Sequence, residues 1–149
     1  MTCSPYRYRI DLVRQLSFTE GPGPAVMGVA TLNNKIFVVY AELTFIVVYQ
    51  SHEPYTRLAD IPIDGLKKPF DIAAGCSCLY VSDPRSDTIW RVKADDAGVD
   101  RWLSGAGAMG VSVAAEEKLV LLVAVDAKGN WEERSLNNAG EIHIYSAGQ

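Results

Sequence analysis

The sequence predicts an all-β fold built from repeats. Strand-like runs rich in Val, Ile, Phe and Tyr recur along the 149 residues, and a helical spacing of apolar positions is sustained nowhere. The runs are also in register. Laying Met27-Gly28-Val29-Ala30 over Phe70-Asp71-Ile72-Ala73, a shift of 43 residues, brings Ile36-Phe37-Val38 over Leu79-Tyr80-Val81 and Ile46-Val47-Val48 over Ile89-Trp90-Arg91 without a gap. A third copy starts at Met109-Gly110-Val111-Ser112, continues through Leu119-Val120-Leu121 and, after a longer insertion, ends in Ile142-His143-Ile144-Tyr145. A period of about 40 residues with three or four short strands per unit is the signature of a β-propeller, in which no blade can bury both faces alone.

Taken in order, Ile10 to Phe18 is apolar enough for a strand and occupies the place of a fourth strand, because Phe18 falls over Ile61 at the same shift. Gly21-Pro22-Gly23-Pro24 alternates glycine with proline and reads as a linker. This divides the single domain into a closing strand and linker at 1–20, a first blade at 21–64, a second at 65–104 and a third at 105–149. Fourth strands are expected at Tyr55 to Ile63 and at Val99 to Leu103, and the third unit shows none of its own. Propellers have about 4–8 blades, and three wedges cannot surround an axis. The expectation is a homodimer closing a six-bladed ring, in which each N-terminal strand completes the partner's third blade so that no outer edge stays unpaired. The alternative is a segment of a larger propeller.

A net charge of −4 gives no basic footprint for nucleic acid. The three cysteines, Cys3, Cys76 and Cys78, are an odd number, and Cys76 and Cys78, read as the start of one strand, are badly spaced for bridging, so reduced thiols are expected. No run has the character of a signal peptide or the length of a membrane span, so an intracellular protein with no membrane partner is expected.

Leu79-Tyr80-Val81-Ser82-Asp83, then Asp87, then Ile89 to Val92 resembles the NHL repeat, with its apolar-aromatic-Val-x-Asp strand, polar turn and Arg-Ile-x-Val-like strand. The first unit departs from it, with Tyr40 at the Asp position and Ala41-Glu42-Leu43-Thr44 as the turn; the third is stretched by the insertion at 124–140. A second resemblance is enzymatic. Thr19-Glu20-Gly21-Pro22 is similar to the start of gluconolactonase-type six-bladed hydrolases, which implies Glu20 as a ligand of a central calcium ion. Asp71 would be the second ligand, with Asp126 or Asn33 adding oxygen. The aromatic residue that follows the proline in that family is absent here, where Gly23-Pro24-Ala25 follows instead.

The residues themselves favour no chemistry: no glycine-rich phosphate loop, no G-x-S-x-G nucleophile and no zinc spacing around His52 and His143 are present. Asp83 and Asp87 flank a turn and are expected to cap it. Trp90, inside a strand, is expected to pack between blades. The expected function is a non-enzymatic binding or scaffolding module, without a cofactor, that meets a protein or small ligand through its loops. The chosen residues are Trp131, Glu132, Glu133 and Arg134 in the insertion, His52 and Tyr55 before the first unit's fourth strand, and Asp71 near the axis. Two alternatives stand beside it: the calcium-dependent hydrolase using Glu20 and Asp71, and a sugar-binding propeller lectin.

Overall fold

The computed structural model describes residues 10–105, 107–114, 120–126 and 140–146. Among them there are eleven strands and no helix: β1 Val26–Leu32, β2 Lys35–Tyr40, β3 Phe45–Gln50, β4 Ile61–Pro62, β5 Asp71–Gly75, β6 Cys78–Asp83, β7 Thr88–Lys93, β8 Val99–Ser104, β9 Ala108–Ala114, β10 Val120–Asp126 and β11 Gly140–Ser146. They form three antiparallel sheets: β1-β2-β3-β4, β5-β6-β7-β8 and β9-β10-β11. Each is a meander, and the fold is propeller-like.

The internal register follows the repeat. Val29 opposes Val38, which opposes Val47; Ile72 opposes Val81, which opposes Trp90; Val111 opposes Val123, which opposes His143. Because strand side chains alternate between faces, each sheet presents two apolar faces. One core joins Phe37, Val39, Ile46 and Val48 of the first sheet to Leu79, Val81, Trp90 and Val92 of the second. A second core joins Ala73, Tyr80 and Ile89 to Ala108 and Val111 of the third. On the far side of the first sheet, Val38, Tyr40, Val47 and Tyr49 are covered with the help of Phe18 and Leu43.

Two expected strands differ. The first sheet's outer strand is reduced to Ile61–Pro62, preceded by a single bridge from Tyr49 to Arg57, because Pro54 and Pro62 lack the N–H that a longer ladder needs. Residues 10–17 lie outside any strand; Phe18 packs on Tyr40 and Phe45, with ring centroids 5.3 Å and 6.3 Å away. Cys76 also differs from expectation: with Ser77 it makes the tight turn between β5 and β6, at φ of 47° and 72°, and β6 begins at Cys78. Both thiols are free.

Asp83 ends β6 with its side chain completely buried. Its carboxylate accepts from the backbone N–H of Lys67 at 2.7 Å and Lys68 at 3.0 Å, from Ser86 Oγ at 2.7 Å and, more distantly, from Trp90 Nε1 at 3.4 Å. It therefore holds both its own turn and the link arriving from β4. Trp90 is held between Arg101, 4.9 Å above its ring, and Gly65, whose φ of 101° and closeness to the indole exclude a side chain. Asp83→Ala strands several buried donors at once and is expected to cost about 3 kcal/mol of stability, measured as a lowered urea midpoint.

Candidate functional site

The inner strands β1, β5 and β9 stand side by side, and Asp71 opens the middle one. Its carboxylate accepts the Ile72 N–H at 2.9 Å through Oδ1 and the Val111 N–H of β9 at 3.0 Å through Oδ2. On the other side, a Cβ added at Gly28 of β1 would come within 3.1 Å of Ile72 and 3.3 Å of Asp71 Oδ1. The missing side chain at Gly28 lets the strands approach, and Asp71 then ties β5 to β9. Ser82 adds a second tie, its hydroxyl donating to the Met109 carbonyl.

The strand directions sort the connections into two faces. One face carries the tight turns Asn33-Asn34 and Cys76-Ser77 and the connections at 51–60 and 94–98; Ser51 N–H to Asn34 O, 3.0 Å, and Ala94 N–H to Ser77 O, 2.9 Å, join them in pairs. The opposite face carries the turns at 41–44 and 84–87 and the links at 19–25, 63–70 and 105–107. Asp87, at φ 54°, organises part of it by accepting the Gly107 N–H at 2.8 Å through its side chain and the Gly105 N–H at 3.0 Å through its carbonyl.

This arrangement divides the sequence candidates. His52 is exposed on the first face, and its carbonyl accepts the Tyr55 N–H at 2.7 Å. Tyr55 is half-buried at φ 58°, with the Arg14 guanidinium 5.7 Å from its ring centre. Arg14 also reaches both carboxylate oxygens of Glu53 at 2.8 Å, so the N-terminal segment contributes to this loop, which its sequence did not signal. Glu20 lies exposed in the link at 19–25, on the face to which Asp71 belongs, whereas Asn33 lies beyond the other end of β1, roughly 23 Å from Val26 at about 3.3 Å per residue. Among the described residues no three His, Cys, Asp or Glu side chains gather as a metal site. The candidates Trp131, Glu132, Glu133 and Arg134 lie outside the described residues, as does the side chain of Asp126; the strands flanking the insertion end at Asp126 and Gly140, on the Asp71 face.

Trp102 is half-buried between Tyr80 and Tyr145, edge to face at 5.5 Å and 6.2 Å, so it packs as Trp90 does. Burial pushes the phenols of Tyr40 and Tyr80 up, Tyr40 further by the neighbouring Tyr49 phenol and Tyr80 further by the Cys78 thiol. Burial likewise pushes the Cys78 thiol up, against the opposing pull of Arg91. The hydrogen bond from Arg91 to Asp100, 2.8 Å long, strengthens the hold of Arg91 on its proton.

No family model matches the sequence, and no curated protein does. Solved structures share the fold. A chain of the nidogen/laminin complex superposes with a TM-score of 0.64 at 15% identity, over 81% of this chain and 44% of that one. Hydrazine synthase of Kuenenia stuttgartiensis gives 0.55 at 14% identity, over 78% of this chain and 33% of that one. The computationally designed Ika4 protein gives 0.55 at 13% identity, over 93% and 77%. This chain thus spans less than half of the first two. No helix among the described residues is long and apolar enough to cross a membrane.

Two outcomes follow from the titratable groups. Maleimide labelling mapped by mass spectrometry at pH 8 is expected to modify exposed Cys76 well before half-buried Cys78, whose rate climbs only as the pH is raised further. The folded state also holds the Tyr40 and Tyr80 protons more tightly than the unfolded chain, so their contribution is complete below the usual tyrosine value near 10 and is lost as pH rises above it. The urea midpoint should therefore fall as the pH rises above about 10, and Tyr40→Phe should flatten that fall.

Proposed function

We propose that the chain supplies three NHL-like blades of a six-bladed propeller acting as a non-enzymatic binding module, which docks another protein on its loop faces. One observation carries this reading: the polar side chains nearest the inner strands are already engaged in holding the sheets together. Asp71 is bonded to two backbone amides, Asp83 to two amides and a hydroxyl, Asp87 to the Gly107 amide, and Ser82 to a carbonyl of the next sheet. A catalytic carboxylate or hydroxyl needs an open side toward its substrate, and these have little to spare. What the frame leaves for recognition is its connections, which rigid sheets hold in place while their sequences stay free.

The same geometry weighs against the calcium reading. Each Asp71 carboxylate oxygen already accepts one amide, and hard cations require several oxygens, whereas no three His, Cys, Asp or Glu side chains gather among the described residues. The loop at 51–56 and the strand ends at Asp126 and Gly140 that flank the insertion lie on opposite faces, so the two groups of candidates can be tested separately.

Capture of binding proteins on the immobilised chain tests this reading. A polypeptide retained by the wild type and lost from either His52→Ala/Tyr55→Ala or Trp131→Ala/Arg134→Ala supports it and selects the face. Thermal stabilisation by calcium that vanishes in Glu20→Ala would replace it with the hydrolase. Stabilisation by simple sugars would replace it with the lectin.

A further inference from the structure

The third sheet is open on the side where its sisters meet a following sheet, and the first is partly open on the side where its sisters meet a preceding one: Val29 is 56% exposed, whereas its counterparts Ile72 and Val111 are buried. By the shared register, Ile142 of β11 stands where Ile46 stands in the first sheet and Ile89 in the second. Ile46 and Ile89 are 0% and 1% exposed, each pressed against the following sheet; Ile142 is 76% exposed. Ile144, the counterpart of buried Val48, is 69% exposed. Among the described residues β11 is the edge strand of its sheet, whereas β3 and β7 each pair with a further strand, β4 and β8.

The opposite end of the chain carries the matching element. Ile10 and Leu12 are 92% and 81% exposed, Val13 and Leu16 are exposed beside them, and none belongs to a strand. Residues 19–25 lead from this segment into β1, the inner strand of the first sheet, as 63–70 lead from β4 to β5 and 105–107 from β8 to β9. Residues 10–18 therefore hold the position of an outer strand belonging to a preceding sheet. Phe18 already sits as such a strand requires: its counterpart Ile61 helps join the first sheet to the second, and Phe18 lies against Tyr40 and Phe45 on the first sheet's other face.

Resting on the propeller reading above, we infer that β11 takes residues 10–18 of a second copy of this chain as its fourth strand, and that the reciprocal pairing closes the ring. Transferring the Ile46–Ile61 pairing sets the register: Phe18 opposes Ile142, Leu16 opposes Ile144 and Arg14 opposes Ser146, antiparallel. The occupant is a second copy because donor strand and acceptor edge lie at opposite ends of one arc and their register matches. Two such joints are related by a two-fold axis, the commonest symmetry of homo-oligomers. Phe18 keeps its place while residues 10–17 swing across. That swing breaks the exposed Arg14–Glu53 ion pair, which is of a kind weak enough to exchange.

Sedimentation equilibrium of the full chain should give twice the 16.3 kDa monomer mass. With Cys3, Cys76 and Cys78 replaced by Ser, oxidation of Leu16→Cys/Ile144→Cys should form a disulfide-linked dimer that neither single variant in the same background forms, since directly opposed strand residues fall within bridging distance. Ile144→Asp should lower the mass while leaving the β-sheet circular dichroism in place. A wild-type chain that sediments as a monomer, or a double variant whose two introduced thiols bridge within one chain, overturns the joint. Loop-face capture by a monomeric chain would leave the binding reading standing with the joint gone, and a dimer that captures nothing would do the reverse.

Discussion

A sheet with two apolar faces is stable only when something covers both, and that requirement organises this chain. The second sheet satisfies it completely: Leu79, Val81, Trp90 and Val92 meet the first sheet, while Tyr80 and Ile89 meet the third. Each fully buried side chain of this size contributes about 1.5–3 kcal/mol, so the two interfaces dominate the stabilisation. Face-to-face stacking has a further consequence at the inner edge. Strands β1, β5 and β9 are drawn close enough that a Cβ at Gly28 would crowd Ile72 and Asp71, and the Asp71 carboxylate finds the Val111 amide.

One repeat position shows two physical solutions to the same problem. In the second sheet, Asp83 closes the end of β6 by accepting backbone N–H groups from its own turn and from the incoming link. In the first sheet the equivalent residue is Tyr40, and its surroundings are Phe18, Leu43, Phe45 and Tyr49. A buried carboxylate needs several donors aimed at it, whereas an aromatic ring needs only apolar area. The Ala41-Glu42-Leu43-Thr44 turn supplies the latter. Losing the motif in the first unit is thus coupled to recruiting Phe18 as a cover, and the divergence of one repeat fixes where the N-terminal segment leaves the sheet.

Alternating apolar residues and an ungapped shift make the strands and their register legible, because burial on both faces forces the same pattern into every unit. The turn at Cys76-Ser77 is hidden, because Cys76 reads as the start of a strand; the same shift lays the pair over Asn33-Asn34, residues that favour positive φ, and that comparison is where the signal lies. The repeat assigns Asp71 to an inner strand, but its role depends on an amide forty residues away, which no local pattern encodes. Arg14 against Glu53 and Tyr55 belongs to the same class, being a long-range contact between two loops of unremarkable composition.

The two faces differ in what the fold demands of them. Asn33-Asn34 and Cys76-Ser77 are two-residue turns at positive φ, where almost any insertion would disturb the pairing they close. On the other face, β10 and β11 pair from Val120–Ser146 through to Asp126–Gly140, so their ladder is complete before the connection at 127–139 begins. The corresponding turn of the second sheet, 84–87, needs only four residues to join β6 to β7. Lengthening a loop whose ends are already paired costs little, because closure entropy grows only with the logarithm of length. Residues that the ladder does not require are free to vary without disturbing the pairing, whereas the two-residue turns of the first face are not.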